Sequence, residues 1–318
     1  MIKLGLVMDP INAINYQKDS SLAMLIEAQN RCYEIHYMEM SDLYLVKGEG
    51  RARTRLLKIH TQNSPYFSFT DEQDIALSNL HVILMRKNPP LDSEFVYATY
   101  ILESAEKLGT LIINKPQSLR DCNEKLFTMW FSDLTPDTLV TRNAYQIITF
   151  LKQYNDIILK PLNGMGGESV FRLNRKDPNI SVIIETITRR GTTYCMVQNY
   201  LPSITDGDKR VLIVDGEAVP YCLARIPKLG ETRGNLAAGG RGEVRPLSSS
   251  DYQIVNRVAP ILKHKGLMFV GLDIIGDKLT EINVTSPTCI CEIENAFPVS
   301  ITGMLMDVIE KRLPKCLL

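Results

Sequence analysis

Three groups of residues in this 318-residue chain have types and spacings suited to chemistry. The first is the run Lys160-Pro161-Leu162-Asn163-Gly164-Met165-Gly166-Gly167. A lysine ends a predicted strand, and a glycine-rich turn leads into the next one. Glycines let successive N–H groups converge on one anion, and the lysine adds a point charge for a phosphate oxygen. The run is neither a Gly-Lys-Ser/Thr loop nor a GxGxxG opening a helix. A plain hairpin turn would explain the glycines but not the strand-end lysine. The second group is Asp273 with Glu281 and Asn283. Glu281 and Asn283 share one face of a strand. A three-residue turn, Gly276-Asp277-Lys278, pairs Ile275 with Leu279 and sets Asp273 opposite Glu281; a two-residue turn would set Asp273 opposite Thr280. Opposed like charges need neutralising, and a hard divalent cation such as Mg²⁺ would do it. A solvent-facing polar hairpin is the alternative.

The third group is a basic series: Lys209, Arg210, Arg225, Arg233 and Arg241. Arg225 lies in an apolar strand, where a guanidinium needs an anion. Arg210, near Asp206 and Asp208, also reads as half of a surface ion pair. Between Lys228 and Gly242 lie five glycines and two arginines, a composition suited to a lid over an anionic substrate or to an ordinary surface loop.

The elements that must position these residues follow from apolar patterning. In the first ~115 residues, strands alternate with helices as in an open parallel sheet. The predicted strands there are Ile2 to Met8, Glu34 to Met40, Val82 to Met85 and Thr110 to Ile113. The predicted helices are Ser20 to Cys32, after a serine cap, and Phe95 to Lys107. Ser41 to Leu80 reads as a ribbon with loops. From Lys115-Pro116 the texture changes. Helices are predicted at Asn123 to Phe131, Ala144 to Gln153 and Ile180 to Thr188. Strands are predicted at Thr138 to Thr141, Ile157 to Lys160, Ser169 to Leu173 and Tyr194 to Tyr200. Beyond Pro202 the strands Arg210 to Val214, Ala218 to Ile226, Phe269 to Ile275 and Leu279 to Val284 are flanked by helices Asp251 to Lys265 and Ile301 to Arg312.

Composition narrows the function classes. Hydrophobic residues make up 45% and charged residues 23%, with zero formal net charge, so no basic excess exists for nucleic acid. No apolar run reaches the ~20 residues of a membrane helix, and Met1 to Pro10 reads as a strand, not a signal peptide. Seven scattered cysteines without a CxxC point to buried thiols in a reduced, cytoplasmic protein. The histidines, His36, His60, His81 and His264, fall outside every motif and read as surface or boundary residues.

Several longer runs carry a resemblance. They are Met85-Arg86-Lys87-Asn88-Pro89-Pro90, the stretch NKPQSLRDCNEK from Asn114 to Lys125, the glycine run at 160–167, Gln198-Asn199-Tyr200-Leu201-Pro202, and LTEINVTSPT from Leu279 to Thr288. In these runs, and along the whole chain, the sequence resembles the bacterial glutathione synthetases of the ATP-grasp fold. The resemblance implies an α/β protein: an amino-terminal open-sheet domain over 1–122, a small ATP-grasp lobe over 123–200 and a carboxyl-terminal lobe over 201–318. It implies ATP as co-substrate, Mg²⁺ or Mn²⁺, and ligation of glycine to γ-glutamylcysteine through an acyl phosphate. Lys125, Lys160, Gly164, Gly166 and Gly167 would meet the phosphates. Gln198, Asn199, Tyr200 and Leu201 would meet adenine, and Asp208 ribose. Asp273, Glu281 and Asn283 would hold the metal, and Arg210 and Arg225 would face the transferred phosphoryl group. Asp19, Ser20, Arg86 and Arg233 would bind the dipeptide. A homo-oligomer, a tetramer, is also implied. The chain departs from the family pattern at Cys291, where an arginine is expected, and at Asn88 and Asn163, where aspartates are. A sister amino-acid ligase and a nucleotide-binding regulator with a dead acceptor site are the alternatives.

Overall fold

The computed structural model describes residues 1–61, 65–236 and 239–314. Three sheets organise them. The first begins with β1 (Lys3–Val7), an apolar strand buried from Leu4 onward. It pairs in parallel with β2 (Glu34–Met38) and with β6 (Val82–Met85), which pairs in parallel with β7 (Leu111–Ile113). Helix α1 (Ser20–Asn30) lies between β1 and β2, and α2 (Ser93–Glu106) between β6 and β7. The stretch read as ribbon and loops is a set of antiparallel strands, the short β3 (Leu43–Val46) and the long β4 (Glu49–Ile59) and β5 (Phe67–Ala76).

The short helix α3 (Pro116–Asp121) leads out of this unit. The second sheet is four-stranded and antiparallel: β8 (Thr138–Thr141), β9 (Asp156–Pro161), β10 (Phe171–Asn174) and β11 (Cys195–Asn199), in the order β10-β9-β11-β8. Helices α4 (Ala144–Tyr154) and α5 (Ile180–Ile187) set Ile147, Leu151, Ile184 and Ile187 against Ile157 and Leu159, a core of its own. Each fully buried aliphatic side chain there contributes ~2 kcal/mol.

The third sheet has five antiparallel strands: β12 (Asp208–Val214), β13 (Glu217–Ile226), β14 (Arg241–Pro246), β15 (Phe269–Ile275) and β16 (Lys278–Asn283). Helix α6 (Ser249–His264) buries Ile254, Val255, Val258, Ala259 and Leu262, a helical spacing. Helices α7 (Ile290–Ala296) and α8 (Ile301–Arg312) close the fold. Residues of the first and third sheets share continuous cores, unlike those of the second.

Several expectations need correction. The cap of α1 is Asp19, whose carboxylate accepts from the Leu22 N–H, so Ser20 is already helical. Helix α6 starts two residues earlier than predicted, behind a Ser248–Asp251 capping box. The segment after Asn123 is a turn followed by a 3₁₀ helix over Leu126–Phe131; Asn123 Oδ1 accepts from the Lys125 and Leu126 N–H groups, and the side chains of Asn123 and Glu124 bond to other elements. Strand β14 and helix α7 were not foreseen. His36 is buried, bridging the Glu34 carboxylate and the Thr54 hydroxyl. Of the thiols, Cys32 is exposed and Cys291 only half-buried, and Cys316 lies outside the described residues.

Candidate active site

Strands β12, β13, β15 and β16 lay charged residues side by side. Register sets Asp208 opposite Arg225, Arg210 opposite Asp273, and Asp273 opposite Glu281. Arg210 Nε donates to Asp273 Oδ1 at 2.6 Å, and Arg225 Nη2 reaches Asp208 Oδ2 at 2.5 Å and Asp273 Oδ2 at 2.9 Å. All four side chains are buried. Burial opposes ionisation of Asp273, but Arg210 and Arg225 overcome it and hold its carboxyl well below the usual carboxylate range. Burial also works against the Arg225 charge; Asp208 and Asp273 outweigh it and raise its pKa. Burial lifts the Asp208 carboxyl to about 6, with Arg225 pulling the other way. Arg210 is thus in a buried network and not a surface pair. Removing one member of such a network costs ~3–5 kcal/mol, because its partner is left buried and unpaired.

The turn between β15 and β16 has two residues, Gly276 and Asp277, with Ile275 paired to Lys278. Asp273 nevertheless faces Glu281, because a bulge at Thr280 inserts one residue between the pairs Ile274–Leu279 and Asp273–Glu281. The expected opposition is present by a different route. The bulge leaves the Thr280 carbonyl free of the ladder, and Lys160 Nζ donates to it at 3.1 Å. The opposed carboxylates are neutralised by protein cations: Asp273 by its two arginines, and Glu281 by Lys125 Nζ at 2.9 Å. Lys125 also donates to the Gly164 carbonyl at 2.7 Å. Burial lowers the Lys160 pKa to about 8.

These groups line a cavity of about 370 Å³ between the second and third sheets. Its floor is the glycine turn after β9, where Gly166 and Gly167 take φ of 62° and 80°, a region that favours glycine. Gln198, Asn199, Tyr200 and Leu201 form one wall beside Asp208. Asn199 Oδ1 and Asp208 Oδ1 are buried acceptors without a protein donor among the described residues. The segment 232–236 of the glycine-rich loop also lines the cavity, Gly234 lying close to Asp208 and Arg225, and Arg233 Nη1 donates to the Gly167 carbonyl at 3.2 Å. The loop's residues 237 and 238 lie outside the described ones. Asn283 also lines the cavity and donates its Nδ2 to the Gly271 carbonyl at 3.2 Å.

The structure does not bring Asp19, Ser20 and Arg86 into that lining. They gather at the junction of α1 and α7, where Ser20 Oγ accepts from the Ile290 N–H at 3.2 Å. Arg86 donates to Ser21 Oγ at 3.0 Å and to the Pro287 carbonyl at 2.8 Å, and its buried Nη1 has no partner among the described residues. Cys291 Sγ donates to the Asp19 carbonyl at 3.7 Å. None of the four histidines lines the cavity. Glu124, which sequence reasoning passed over, does line it. Its only sequence signal is its place beside Lys125 in the run ending at that lysine.

Family models match nearly the whole chain: the amino-terminal domain of prokaryotic glutathione synthetase over residues 2–120 and its ATP-grasp domain over 124–298. The chain belongs to the prokaryotic glutathione synthetase family. It is an ATP-dependent ligase of the ATP-grasp fold. Glutathione synthetase of Citrobacter rodentium is 70% identical over 315 residues, covering 99% of this chain and 100% of that protein. Glutathione synthetase of Shigella flexneri is 71% identical over 313 residues, covering 98% and 99%. Among solved structures, D-cycloserine synthetase DcsG superposes with a TM-score of 0.66 at 15% identity, covering 98% of this chain and 99% of that one, a likeness of fold alone. Among the described residues, no helix is long and apolar enough to cross a membrane.

Proposed function

We propose that this chain joins glycine to the cysteinyl carboxylate of γ-glutamylcysteine, with ATP as co-substrate, giving glutathione, ADP and phosphate. The identity of about 70% over 315 residues with a glutathione synthetase carries this reading. It favours that activity over a sister ligase and over a regulator with a dead acceptor site. The cysteinyl carboxylate attacks the γ-phosphorus, and the bond to the ADP oxygen breaks. Glycine's amine then attacks the acyl-phosphate carbonyl, and phosphate leaves. ATP activation makes a serine or cysteine nucleophile unnecessary. The protein's task is positioning and charge neutralisation.

Lys125, Lys160 and the amides of Gly164, Gly166 and Gly167 bind the phosphates in this reading. Gln198 to Leu201 hold adenine, and the unpartnered Asp208 oxygen suits a ribose hydroxyl. Arg210 and Arg225 neutralise the transferred phosphoryl group. Asp19, Ser20, Arg86 and Arg233 bind the dipeptide, the free Arg86 Nη1 being a ready donor for a carboxylate. Asp273, Glu281 and Asn283 offer carboxylate and amide oxygens on one cavity face, a donor set that fits a hard cation. Mg²⁺ or Mn²⁺ bound there would neutralise phosphate charge. Among the described residues no three His, Cys, Asp or Glu side chains converge as a metal site, so phosphate oxygens and water would complete the shell. The reading extends to the three units 1–122, 123–200 and 201–318, to a tetramer, and to a reducing cytoplasm that suits the buried thiols.

The decisive measurement is phosphate release with ATP, γ-glutamylcysteine and glycine. Release only with other amino acids would support the sister ligase. ATP binding without turnover would support the regulator. Glu281→Gln should stay folded and lose at least ~100-fold in turnover, with weaker Mn²⁺ binding. Near-normal activity of that variant at low Mg²⁺ would remove the triad.

A further inference from the structure

We infer that Glu124 is a positioning residue that fixes the cation-facing end of β16, an inference that rests on the proposed function of the cavity. Strand β16 is the last of its sheet, with a strand partner on one side only. Outward N–H groups of such a strand need another acceptor. The Leu279 N–H finds the Leu134 carbonyl. Past the Thr280 bulge the outward parity switches to even residues, and both of the next two outward amides end on residue 124. The Glu124 carbonyl accepts from the Ile282 N–H at 2.9 Å, and Oε1 accepts from the Val284 N–H at 2.9 Å. The same Oε1 accepts from the Thr285 N–H at 3.0 Å and from its hydroxyl at 2.9 Å. The pinned amides bracket Asn283.

The neighbours of Glu124 tie the same tripeptide to the phosphate turn. Asn123 Nδ2 donates to the Leu162 carbonyl at 3.2 Å, and Lys125 reaches Gly164 and Glu281. Three consecutive residues therefore connect the glycine turn of the second sheet to the oxygen-bearing strand of the third. Four donors converge on one residue, three of them on a single carboxyl oxygen. A carboxylate with its Oε1 so engaged serves as a template for backbone. The function inferred for Glu124 is to set the distance between the phosphate-binding lysines and the Glu281–Asn283 face.

The test compares Glu124→Gln, →Asp and →Ala. Binding of Mn²⁺ with a non-hydrolysable ATP analogue is read by calorimetry and by the Mn²⁺ resonance, without γ-glutamylcysteine or glycine. Gln keeps an acceptor oxygen in place and should bind within about threefold of the parent. Ala should bind at least ~10-fold more weakly, and Asp, one methylene short, should fall toward Ala. Arg31→Ala, which removes an ion-pair cluster with Asp307 and Glu310 remote from the cavity, controls for loss of stability. It should lower the melting temperature and leave binding unchanged. Parent-like binding by Ala or by Asp would overturn the inference, as would Gln as weak as Ala; if Ala does not fold, the contrast between Gln and Asp decides. Since the assay omits the dipeptide and glycine, its failure is separate from a failure of the proposed ligation, which the parent's turnover tests.

Discussion

At Lys160, burial and ligand binding act on one proton in opposite directions. Among the described residues its ammonium donates to the Thr280 carbonyl alone, and desolvation lowers its pKa to about 8. The unfolded lysine titrates near ~10.4. Between these values the unfolded chain holds more protons, so the ligand-free protein gains stability as pH rises through that window. Phosphate reverses the balance, because it favours the charged form. ATP binding above pH ~8 should therefore take up a proton, and affinity should fall as pH climbs past the free-enzyme pKa. Calorimetry in buffers of different ionisation heat measures the uptake; none at pH ~9 would leave Lys160 out of phosphate binding. The departure at Cys291 leads elsewhere. Its thiol lies half-buried beside the Asp19 carbonyl, its pKa pushed up to about 11 by burial, and it is not part of the cavity lining. A guanidinium there would find Glu292 or Glu294, the two nearest carboxylates on its own helix. Cys291→Arg should raise the melting temperature by no more than ~1–2 °C, as a pair worth ~0–1 kcal/mol implies in a chain of 318 residues, and leave kcat/KM within about twofold for each substrate. A tenfold gain for γ-glutamylcysteine would instead put that side chain on the substrate.

The glycine-rich loop presents Lys228 to solvent, as the first residue of β14 does Arg241, while Arg233 is held by the Glu231 carboxylate at 2.6 Å and by Gly167. Trypsin should cut the ligand-free protein at Arg241 or Lys228 before Arg233. ATP with γ-glutamylcysteine should slow all three cuts at least ~10-fold by ordering the loop over the cavity. Equal rates with and without ligands would reduce the segment to surface. Sequence patterning located the apolar strands well, since Val82–Met85 and Thr138–Thr141 keep their predicted bounds. It failed where backbone chemistry decides. Asp19 sets a helix start through one side-chain bond and Ser248 through a reciprocal pair with Asp251. Strand β14, with Arg241, Glu243 and Arg245, lacks an apolar face to recognise. The Asp273–Glu281 opposition was expected from a three-residue turn that the structure does not have; the bulge that produces it was not legible, because Thr280 is an ordinary strand residue. Glu124 stayed hidden because its partners are mostly main-chain groups 158 or more positions away.

Across the whole molecule, the first and third sheets are joined at Asn114. Its Nδ2 donates to the carbonyls of Phe269 and Val284, both at 2.7 Å, and its Oδ1 accepts from the Phe269 N–H at 2.9 Å. All three bonds are buried. Asn114→Ala would strand three main-chain groups, and urea titration should register a loss of ~2–4 kcal/mol. A loss under ~1 kcal/mol would mean that water replaces the amide. The second sheet, with its separate core, should hardly notice that change, so exchange of its amides would stay slow until global unfolding.

The Thr280 bulge has a consequence for how this hairpin can vary in length. Glu281 meets Asp273 because one surplus residue follows a two-residue turn. Moving that residue into the turn would make the three-residue connection and keep the two carboxylates opposed. The count of residues would be conserved and the carboxylate pair indifferent to the change. Lys160 would not be, since the carbonyl it uses exists only because the ladder skips it. Homologous hairpins can thus be sorted by where their odd residue lies. Those that keep it in the strand retain a resting acceptor for the phosphate lysine, and those that shift it to the turn must supply another.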